Sequence, residues 1–292
     1  MTNAPIASLQ NPRVKEVVKL RQRSHRDAQD LFIVEGYREL RRALDNGRRP
    51  ATLFVCEALF LGKNEPALIE QCRQAGAEIV PCTPPVFEKI AYRERPEGLL
   101  ALLPQVHLAL ADLELPERPL IIVAEAIEKP GNLGTILRSA DAAGAAAVIV
   151  CDQCTDIHNP NVVRSSTGTL FSLPIVETSS AEALAWLRLN KILILAASPH
   201  AEKDYTDVDL RPGTAIVVGA EQYGLSSLWM KEADTKVRIP MHGQADSLNV
   251  ATATTILMFE AVRQRRREEA GHLKPDIRRQ TTDARPEKKE DR

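Results

Sequence analysis

The sequence has few aromatic residues, no long apolar run and no signal-like beginning. Phe, Trp and Tyr make up 4% of its 292 residues. No uncharged apolar stretch reaches the roughly 18 residues that a membrane span requires. The opening residues, MTNAPIASLQNPRVKE, are polar and broken by prolines, unlike a secretory signal. Five cysteines without framework spacing favour a reducing compartment. We therefore expect a cytoplasmic protein with no membrane partner.

Several familiar catalytic signatures are also missing. The patterns GxGxxG and GxxxxGK[ST] do not occur, which argues against a conventional dinucleotide or nucleoside triphosphate enzyme. There is no GxSxG elbow and no HxxH or HxxxH pair. Cys151 and Cys154 have the spacing of a metal or redox pair, but no second pair completes a tetrahedral site. The sequence therefore predicts no metal site.

The net charge of −1 hides an uneven distribution. Residues 11–49 and 263–292 each carry a surplus of Lys and Arg, whereas the middle of the chain is acidic. Basic ends on an acidic body favour a polyanion held from the flanks. Ordinary solvated surface is an equally good explanation of the charge alone.

The hydrophobic pattern predicts two α/β domains. Short Val- and Leu-rich runs alternate with helical ones over residues 1–105, and a proline-containing linker follows at 106–118. Over residues 119–262 strands rich in Val and Ile alternate regularly with helices, which predicts a parallel sheet covered on both faces. Residues 263–292 are charged and almost free of large apolar side chains, so we expect a mobile tail.

Three stretches of the second domain share a strand–loop–helix pattern. They are NLGTILRSADAAG (132–144), VVGAEQYGLS (217–226) and IPMHGQADSLNVATATTILMFE (239–260). Ligands of parallel sheets bind beyond the carboxyl ends of the strands, where helix N-termini supply backbone donors. We therefore predict that the three loops converge on one pocket.

Each stretch offers a candidate side chain together with a simpler explanation. Arg138 is a permanently charged fork for phosphate, or a surface arginine on an amphipathic helix. Glu221 follows Gly219, whose lack of a side chain permits close approach to a ligand, or it is solvated in a turn. Ser247 is the predicted N-cap of the last helix, and Asn249 lies in its first turn, where an amide favours a capping role.

Taken together and in this order, the three stretches resemble the signatures of the SpoU (TrmH) family of the SPOUT class of methyltransferases. The intervening NPNVVRSSTGTLFSLPI and the N-terminal FIVEGYRELRRAL resemble that family as well. The resemblance covers roughly residues 10 to 262. It is specific because three spaced signatures agree where any one alone would be weak.

The resemblance implies methyl transfer from S-adenosyl-L-methionine to a ribose 2′-hydroxyl in RNA. It also implies a parallel-sheet catalytic domain with a C-terminal trefoil knot, a small N-terminal α/β RNA-binding domain, and a homodimer. By similarity the active-site positions are Asn132, Arg138, Glu221, Ser247 and Asn249. By the same similarity the cofactor lies against Ala197, Ser198, Gly219, Ala220, Ile239, Ser247 and Leu248.

The RNA and the proton acceptor stay open at this point. The extra N-terminal domain favours structured rRNA over tRNA because it offers a second grip on a folded target. Phosphate contacts are predicted at Lys19, Arg21, Arg23 and Arg26, with plain surface charge as the alternative. We expect Arg138 to hold a phosphate and stabilise alkoxide charge, because a guanidinium stays protonated. The hydroxyl proton goes to the phosphate, to Glu221 or to water.

Two other classes of protein remain as rivals. One is an RNA-binding protein that retains the fold without catalysis, against which the presence of Arg138, Glu221 and Asn249 argues. The other is a Rossmann-type nucleotide enzyme, which the missing glycine fingerprint disfavours.

Overall fold

The computed structural model describes residues 4–272. Its N-terminal part contains a mixed four-stranded sheet in the order β1-β4-β2-β3. The strands are β1 (Leu31–Glu35), β2 (Thr52–Val55), β3 (Glu78–Pro81) and β4 (Leu99–Pro104). Strand β4 is antiparallel to both of its neighbours, and β3 is parallel to β2. All four strands were predicted from the Val- and Leu-rich runs.

Five helices accompany this first sheet. They are α1 (Pro12–Lys19), α2 (Arg23–Gln29), α3 (Tyr37–Asp45), α4 (Glu65–Gln74) and α5 (Pro84–Ile90). The basic segment at the beginning of the chain thus forms two short helices. Asn11 caps the first, where its side-chain oxygen accepts the backbone N–H of Arg13 at 2.9 Å.

The second sheet has seven strands, all parallel, in the order β7-β6-β5-β10-β8-β11-β9. The strands are β5 (Leu120–Glu125), β6 (Ala147–Cys151), β7 (Ile175–Thr178), β8 (Leu193–Ala197), β9 (Lys203–Asp204), β10 (Thr214–Val218) and β11 (Thr235–Arg238). The helices are α6 (Pro130–Ala142), α7 (Pro160–Ser165), α8 (Ser180–Leu189), α9 (Ser227–Glu232) and α10 (Val250–His272). The predicted parallel sheet is therefore confirmed, and only the two-residue strand β9 had no counterpart in the prediction.

The register of this sheet sets the place of the site. Ala196 lies opposite Val217 of one neighbouring strand, and Ala197 lies opposite Val237 of the other. The carboxyl ends of β10, β8 and β11 therefore lie side by side. The loops that follow these three strands leave the sheet at one edge.

One apolar cluster reaches across both sheets. It includes Phe32 and Leu40 from the N-terminal part and Ile122, Leu133 and Val163 from the second part, all of them buried. The two parts therefore pack against each other through a shared core, and the proposed division into domains stays a prediction. Within residues 4–272 no helix is long and apolar enough to cross a bilayer.

Helix α7 ends at Ser165, and a short 3-10 helix follows at Thr169–Phe171. One prediction about local structure was wrong. The last helix continues to His272 instead of giving way to a mobile tail after Val262. The additional turns are stabilised by a hydrogen bond in which the amide of Gln264 donates to the Val208 carbonyl at 3.0 Å. The rest of the predicted tail lies outside the described residues, and the trefoil knot stays a prediction.

Candidate active site

Side chains from the three signature stretches form one hydrogen-bonded cluster. Asn132 lies in the first turn of α6, Glu221 in the turn after β10, and Asn249 directly before α10. The amide of Asn132 donates to Oε1 of Glu221, and the amide of Asn249 donates to Oδ1 of Asn132 at 3.0 Å. Packing of α10 on α6 supports this meeting, since Thr255 donates to Ser139 at 2.8 Å. The structure thus brings together residues more than a hundred positions apart.

Asn249, not Ser247, is the N-cap of the last helix. Its Oδ1 accepts the backbone N–H groups of Ala251 at 3.0 Å and Thr252 at 3.3 Å. The prediction that Ser247 caps this helix was wrong because α10 begins three residues later, at Val250. Asn249 therefore uses its oxygen for the helix and its nitrogen for Asn132. Ser247 lies exposed in the irregular segment before the helix.

The carboxylate of Glu221 is cradled by the backbone at the start of α6. Its Oε2 accepts from the N–H of Glu128 at 3.1 Å, and its Oε1 accepts from that of Lys129 at 3.4 Å. Partial burial raises the pKa of this carboxyl, but the hydrogen bonds from Asn132 and from the backbone outweigh that effect. The pKa of Glu221 therefore lies below its ordinary value, and the side chain is ionised at neutral pH.

The glycines of the signature stretches allow other parts of the chain to approach closely. A Cβ at Gly219 would overlap the backbone of Gly224 and Leu225, so this glycine lets the turn close on itself. The N–H of Gly224 donates to the Ala220 carbonyl at 2.9 Å, and Gly224 has a φ of +67°. Gly134 lies inside α6, not in a loop, where a Cβ would overlap Ser165 of α7.

Glu125, which the sequence pattern did not single out, is a buried carboxylate linked to the turn of Glu221. Glu125 is 4% exposed at the end of β5, and its Oε1 accepts from the hydroxyl of Ser180 at 3.1 Å. Its Oε2 accepts the N–H of Ser226 at 2.8 Å, which ties down the far end of the Glu221 turn. Trp229 also donates to the Ser180 hydroxyl, at 3.0 Å. The sequence feature that could have indicated this buried carboxylate is the single acidic residue at the end of the apolar strand β5.

The predicted cofactor residues line the shared edge of three adjacent strands. They are Ala197 and Ser198 after β8, Gly219 and Ala220 after β10, and Ile239 after β11, followed by Ser247 and Leu248 in the segment that leads to α10. The N–H of Ser198 donates to the Val237 carbonyl at 2.9 Å, which joins two of these strand ends. Most of these side chains are small, and all but the buried Gly219 are at least partly exposed. The arrangement fits a cofactor bound through main-chain groups.

Arg138 lies on the same helix as Asn132 but outside the cluster. It is six residues further on, about 9 Å along the helix axis. It is exposed, and among residues 4–272 no side chain or carbonyl forms a hydrogen bond or ion pair with its guanidinium. Its guanidinium is therefore available to an anion from outside the chain. Arg138 lies about two turns into this helix, because α6 begins at Pro130.

One of the four predicted phosphate contacts is buried. Arg26 is 1% exposed, and its guanidinium pairs with Asp156 of the second part at 2.7 Å. It also donates to the carbonyls of Leu20 and Arg21 at 2.9 Å each. The prediction that Arg26 contacts RNA phosphate is wrong for this structure, because its buried guanidinium is already paired with Asp156.

The other three predicted contacts are exposed but already have partners. Lys19 pairs with Glu16 at 2.7 Å, and Arg23 pairs with Asp27 at 3.4 Å. Arg21 donates to the carbonyl of Ala91 at 2.6 Å, at the end of α5. These surface pairs are weak and can rearrange when a phosphate approaches.

The cysteine pair after β6 is split between two environments. Cys151 is buried, and burial raises the pKa of its thiol to about 12, whereas Cys154 is exposed. Among the residues described, no group of three or more His, Cys, Asp or Glu side chains could hold a metal ion.

Comparisons with known proteins agree on one family. Residues 119–259 match the model of the SpoU rRNA Methylase family, and residues 11–101 match that of the MRM3-like substrate binding domain. A 23S rRNA (uridine(2479)-2′-O)-methyltransferase of Streptomyces viridochromogenes is 34% identical over 241 residues, covering 80% of this chain and 83% of that protein.

Solved structures show the same relationship. A crystal structure of an RNA 2′-O ribose methyltransferase has a TM-score of 0.79 and 42% identity, covering 90% of this chain and 99% of that one. An AdoMet-bound rRNA methyltransferase from Sinorhizobium meliloti has a TM-score of 0.82 and 31% identity, covering 89% and 97%. The two family models together, the relative and the solved structures thus cover both sheets of the chain. This protein belongs to the SpoU family of RNA methyltransferases.

Proposed function

We propose that this protein transfers a methyl group from S-adenosyl-L-methionine to a ribose 2′-hydroxyl of structured RNA, with rRNA as the substrate ahead of tRNA. The observation that carries the proposal is the contact chain Glu221–Asn132–Asn249, in which all three signature stretches meet. Two of the relatives described above are named as rRNA methyltransferases, and each covers most of this chain. We assign residues 1–105 to substrate binding, 106–118 to a linker and 119–262 to methyl transfer.

We propose the edge formed by the ends of β8, β10 and β11 as the cofactor site. Ala197, Ser198, Gly219, Ala220 and Ile239 lie at these strand ends, and Ser247 and Leu248 belong to the segment between β11 and α10. When bound, S-adenosyl-L-methionine supplies a sulfonium methyl carbon that accepts the electron pair of the attacking oxygen. A site lined by backbone and shielded from water suits a donor whose positive charge disappears during transfer.

The roles of the side chains follow from their partners. Arg138 is a free, exposed cation, so it holds the phosphate next to the target ribose and stabilises the alkoxide as it forms. Glu221 is ionised, but both of its oxygens already accept hydrogen bonds and its pKa is lowered, which makes it a poor base. It holds Asn132 in place instead, and the hydroxyl proton leaves to the phosphate or to water.

We also propose a homodimer that forms through the catalytic domain, in the cytoplasm. Tyr223 is 79% exposed in the second signature, and Phe259 is 44% exposed on α10. Exposed apolar side chains of this size on one domain supply surface for a second copy. The proposal rests on the family resemblance as much as on these residues.

The test combines cofactor binding with mapping of the modified nucleotide. Calorimetry with S-adenosyl-L-methionine should show binding to the full chain, and 2′-O-methyl mapping of total RNA should show one site lost in a deletion strain. That site should return when the wild-type chain is restored. A chain that binds RNA but neither binds the cofactor nor changes any 2′-O-methyl site would instead be a non-catalytic RNA-binding protein that keeps the fold.

A further inference from the structure

The backbone that holds Glu221 adopts a strained conformation. Ala126, just after β5, has a φ of +51°, which is uncommon for a residue with a side chain. Its N–H donates to the Cys151 carbonyl at 2.9 Å. Two residues further on, Glu128 presents its N–H to Glu221. Strain of this kind persists only where surrounding contacts hold it, and it is common at functional sites.

A threonine from another loop supplies one of these contacts. The hydroxyl of Thr155 donates to the Glu128 carbonyl at 2.7 Å, and Thr155 is 7% exposed. Thr155 belongs to the loop between β6 and α7, which carries none of the signature residues in the cluster. Its hydrogen bond therefore helps to orient the Glu128–Lys129 peptide unit, whose own N–H donates to Glu221.

This loop is in turn fixed by the N-terminal part of the chain. Asp156, the next residue, is 7% exposed and pairs with Arg26 of α2 at 2.7 Å. The N–H of Ile157 donates to Oε1 of Glu177 at 3.1 Å, which holds the other side of the same loop. Arg26, Asp156, Thr155 and Glu128 thus form a continuous series of contacts that ends at Glu221.

We propose that Thr155 and Arg26 are positioning residues for methyl transfer, because together they fix the backbone that holds Glu221. The inference rests on the proposed function. The N-terminal part then does more than bind substrate, since it contributes to the geometry of the reaction site from a distance. The N–H bonds to Glu221 are 3.1 and 3.4 Å long, so a small shift of residues 126–129 breaks them.

The first test uses a pair of substitutions at Thr155. Thr155→Val removes the hydroxyl at nearly constant volume, and we expect kcat to fall about tenfold or more, since sub-ångström misplacement at a reaction site has effects of this order. The KM for RNA and the dissociation constant of S-adenosyl-L-methionine should stay near wild type. Thr155→Ser keeps the hydroxyl and should restore most of the rate.

A matched control is available in the same domain. Thr169 is 3% exposed, and its hydroxyl donates to the Ser166 carbonyl at 2.9 Å, in the 3-10 turn after α7. Thr169→Val removes an equivalent buried hydrogen bond away from residues 126–129. Its kcat should match wild type. An equal loss in the two valine variants, or wild-type kcat in Thr155→Val, would overturn the inference.

A second measurement separates this inference from the proposed function. Hydrogen exchange at the amides of Glu128 and Lys129 in the RNA-free protein should accelerate in Thr155→Val and in Arg26→Met, and not in Thr169→Val. Unchanged exchange in the first two variants contradicts the contact series, whatever the activity. If the wild-type chain transfers no methyl group to rRNA while these amides respond, the proposed function fails and the coupling stands.

Discussion

The surroundings of Arg138 and the junction between the N-terminal part and the second part of the chain use arginine in opposite ways. Arg138 is exposed, and its guanidinium has no partner among the residues described. At the junction, Arg26 is 1% exposed and its charge is matched by Asp156 and two carbonyls. An exposed cation can bind a phosphate at little cost, whereas a buried and paired one cannot leave its partners without stranding a buried charge. The difference indicates which arginine can serve the substrate.

His158, near Arg26, is a second buried polar side chain that is bound to a group of the chain itself. It is 3% exposed, and its Nε2 accepts the N–H of Val106 at 2.9 Å, while its ring lies 4.7 Å from that of Phe32. Burial lowers the pKa of His158 to about 3, so the ring is a neutral acceptor at physiological pH. Polar groups at the junction thus bind each other and hold the two parts of the chain together.

The largest effect is expected at Arg138. Arg138→Ala should lower turnover about 10²–10³-fold, because it removes the cation proposed to stabilise developing oxygen charge. Cofactor affinity should be unchanged in calorimetry, since Arg138 is not part of the proposed cofactor edge. Arg13→Ala, at an exposed arginine paired with Glu78, is the control and should keep full activity. Near-normal turnover in Arg138→Ala would remove this residue from the mechanism.

The next effect is on stability at the junction. Arg26→Met leaves Asp156 buried without its partner and should lower the free energy of unfolding by about 3–5 kcal/mol. Urea denaturation followed by circular dichroism measures this loss. The double variant Arg26→Met with Asp156→Asn removes the unpaired charge and should regain part of it. A single variant as stable as wild type would show that the pair carries little weight, and the contrast between the regions would weaken.

A smaller effect separates two roles of Asn249. Asn249→Asp keeps an oxygen for the N–H groups of Ala251 and Thr252 but has no amide to donate to Asn132. We expect unfolding stability near wild type, with turnover reduced about tenfold. Asn249→Ala removes the cap as well and should cost about 1 kcal/mol of stability in addition. If the aspartate variant is fully active, the contact with Asn132 does not serve the reaction.

The smallest effects are expected from exposed cations that already have partners. Lys19→Ala and Arg23→Ala should leave the denaturation midpoint nearly unchanged, because exposed ion pairs contribute little. If these residues contact phosphate, each substitution lowers the slope of log affinity for rRNA against log salt concentration by about 1. Unchanged slopes in both variants would favour plain surface charge over an RNA contact.

Much of the fold and part of the cluster were accessible from the sequence. The Val- and Ile-rich runs predicted the strands, because a parallel sheet buried on both faces requires apolar residues at consecutive positions. The strand–loop–helix pattern predicted that the stretches of Asn132, Glu221 and Asn249 meet, because carboxyl ends of neighbouring strands share an edge. The position of the last N-cap was missed because serine and asparagine cap equally well, and only the start of α10 distinguishes them.

The sequence by itself determined the alternation of strands and helices and the three signatures, because both are properties of residues close together along the chain. Only the tertiary structure decided that Arg26 pairs with a carboxylate 130 positions away, and that Thr155 supports the backbone under Glu221. The physical reason is that burial and charge pairing depend on which distant segments pack together. An arginine on a short basic helix has the same local sequence pattern whether its side chain lies in solvent or is buried between two parts of the chain.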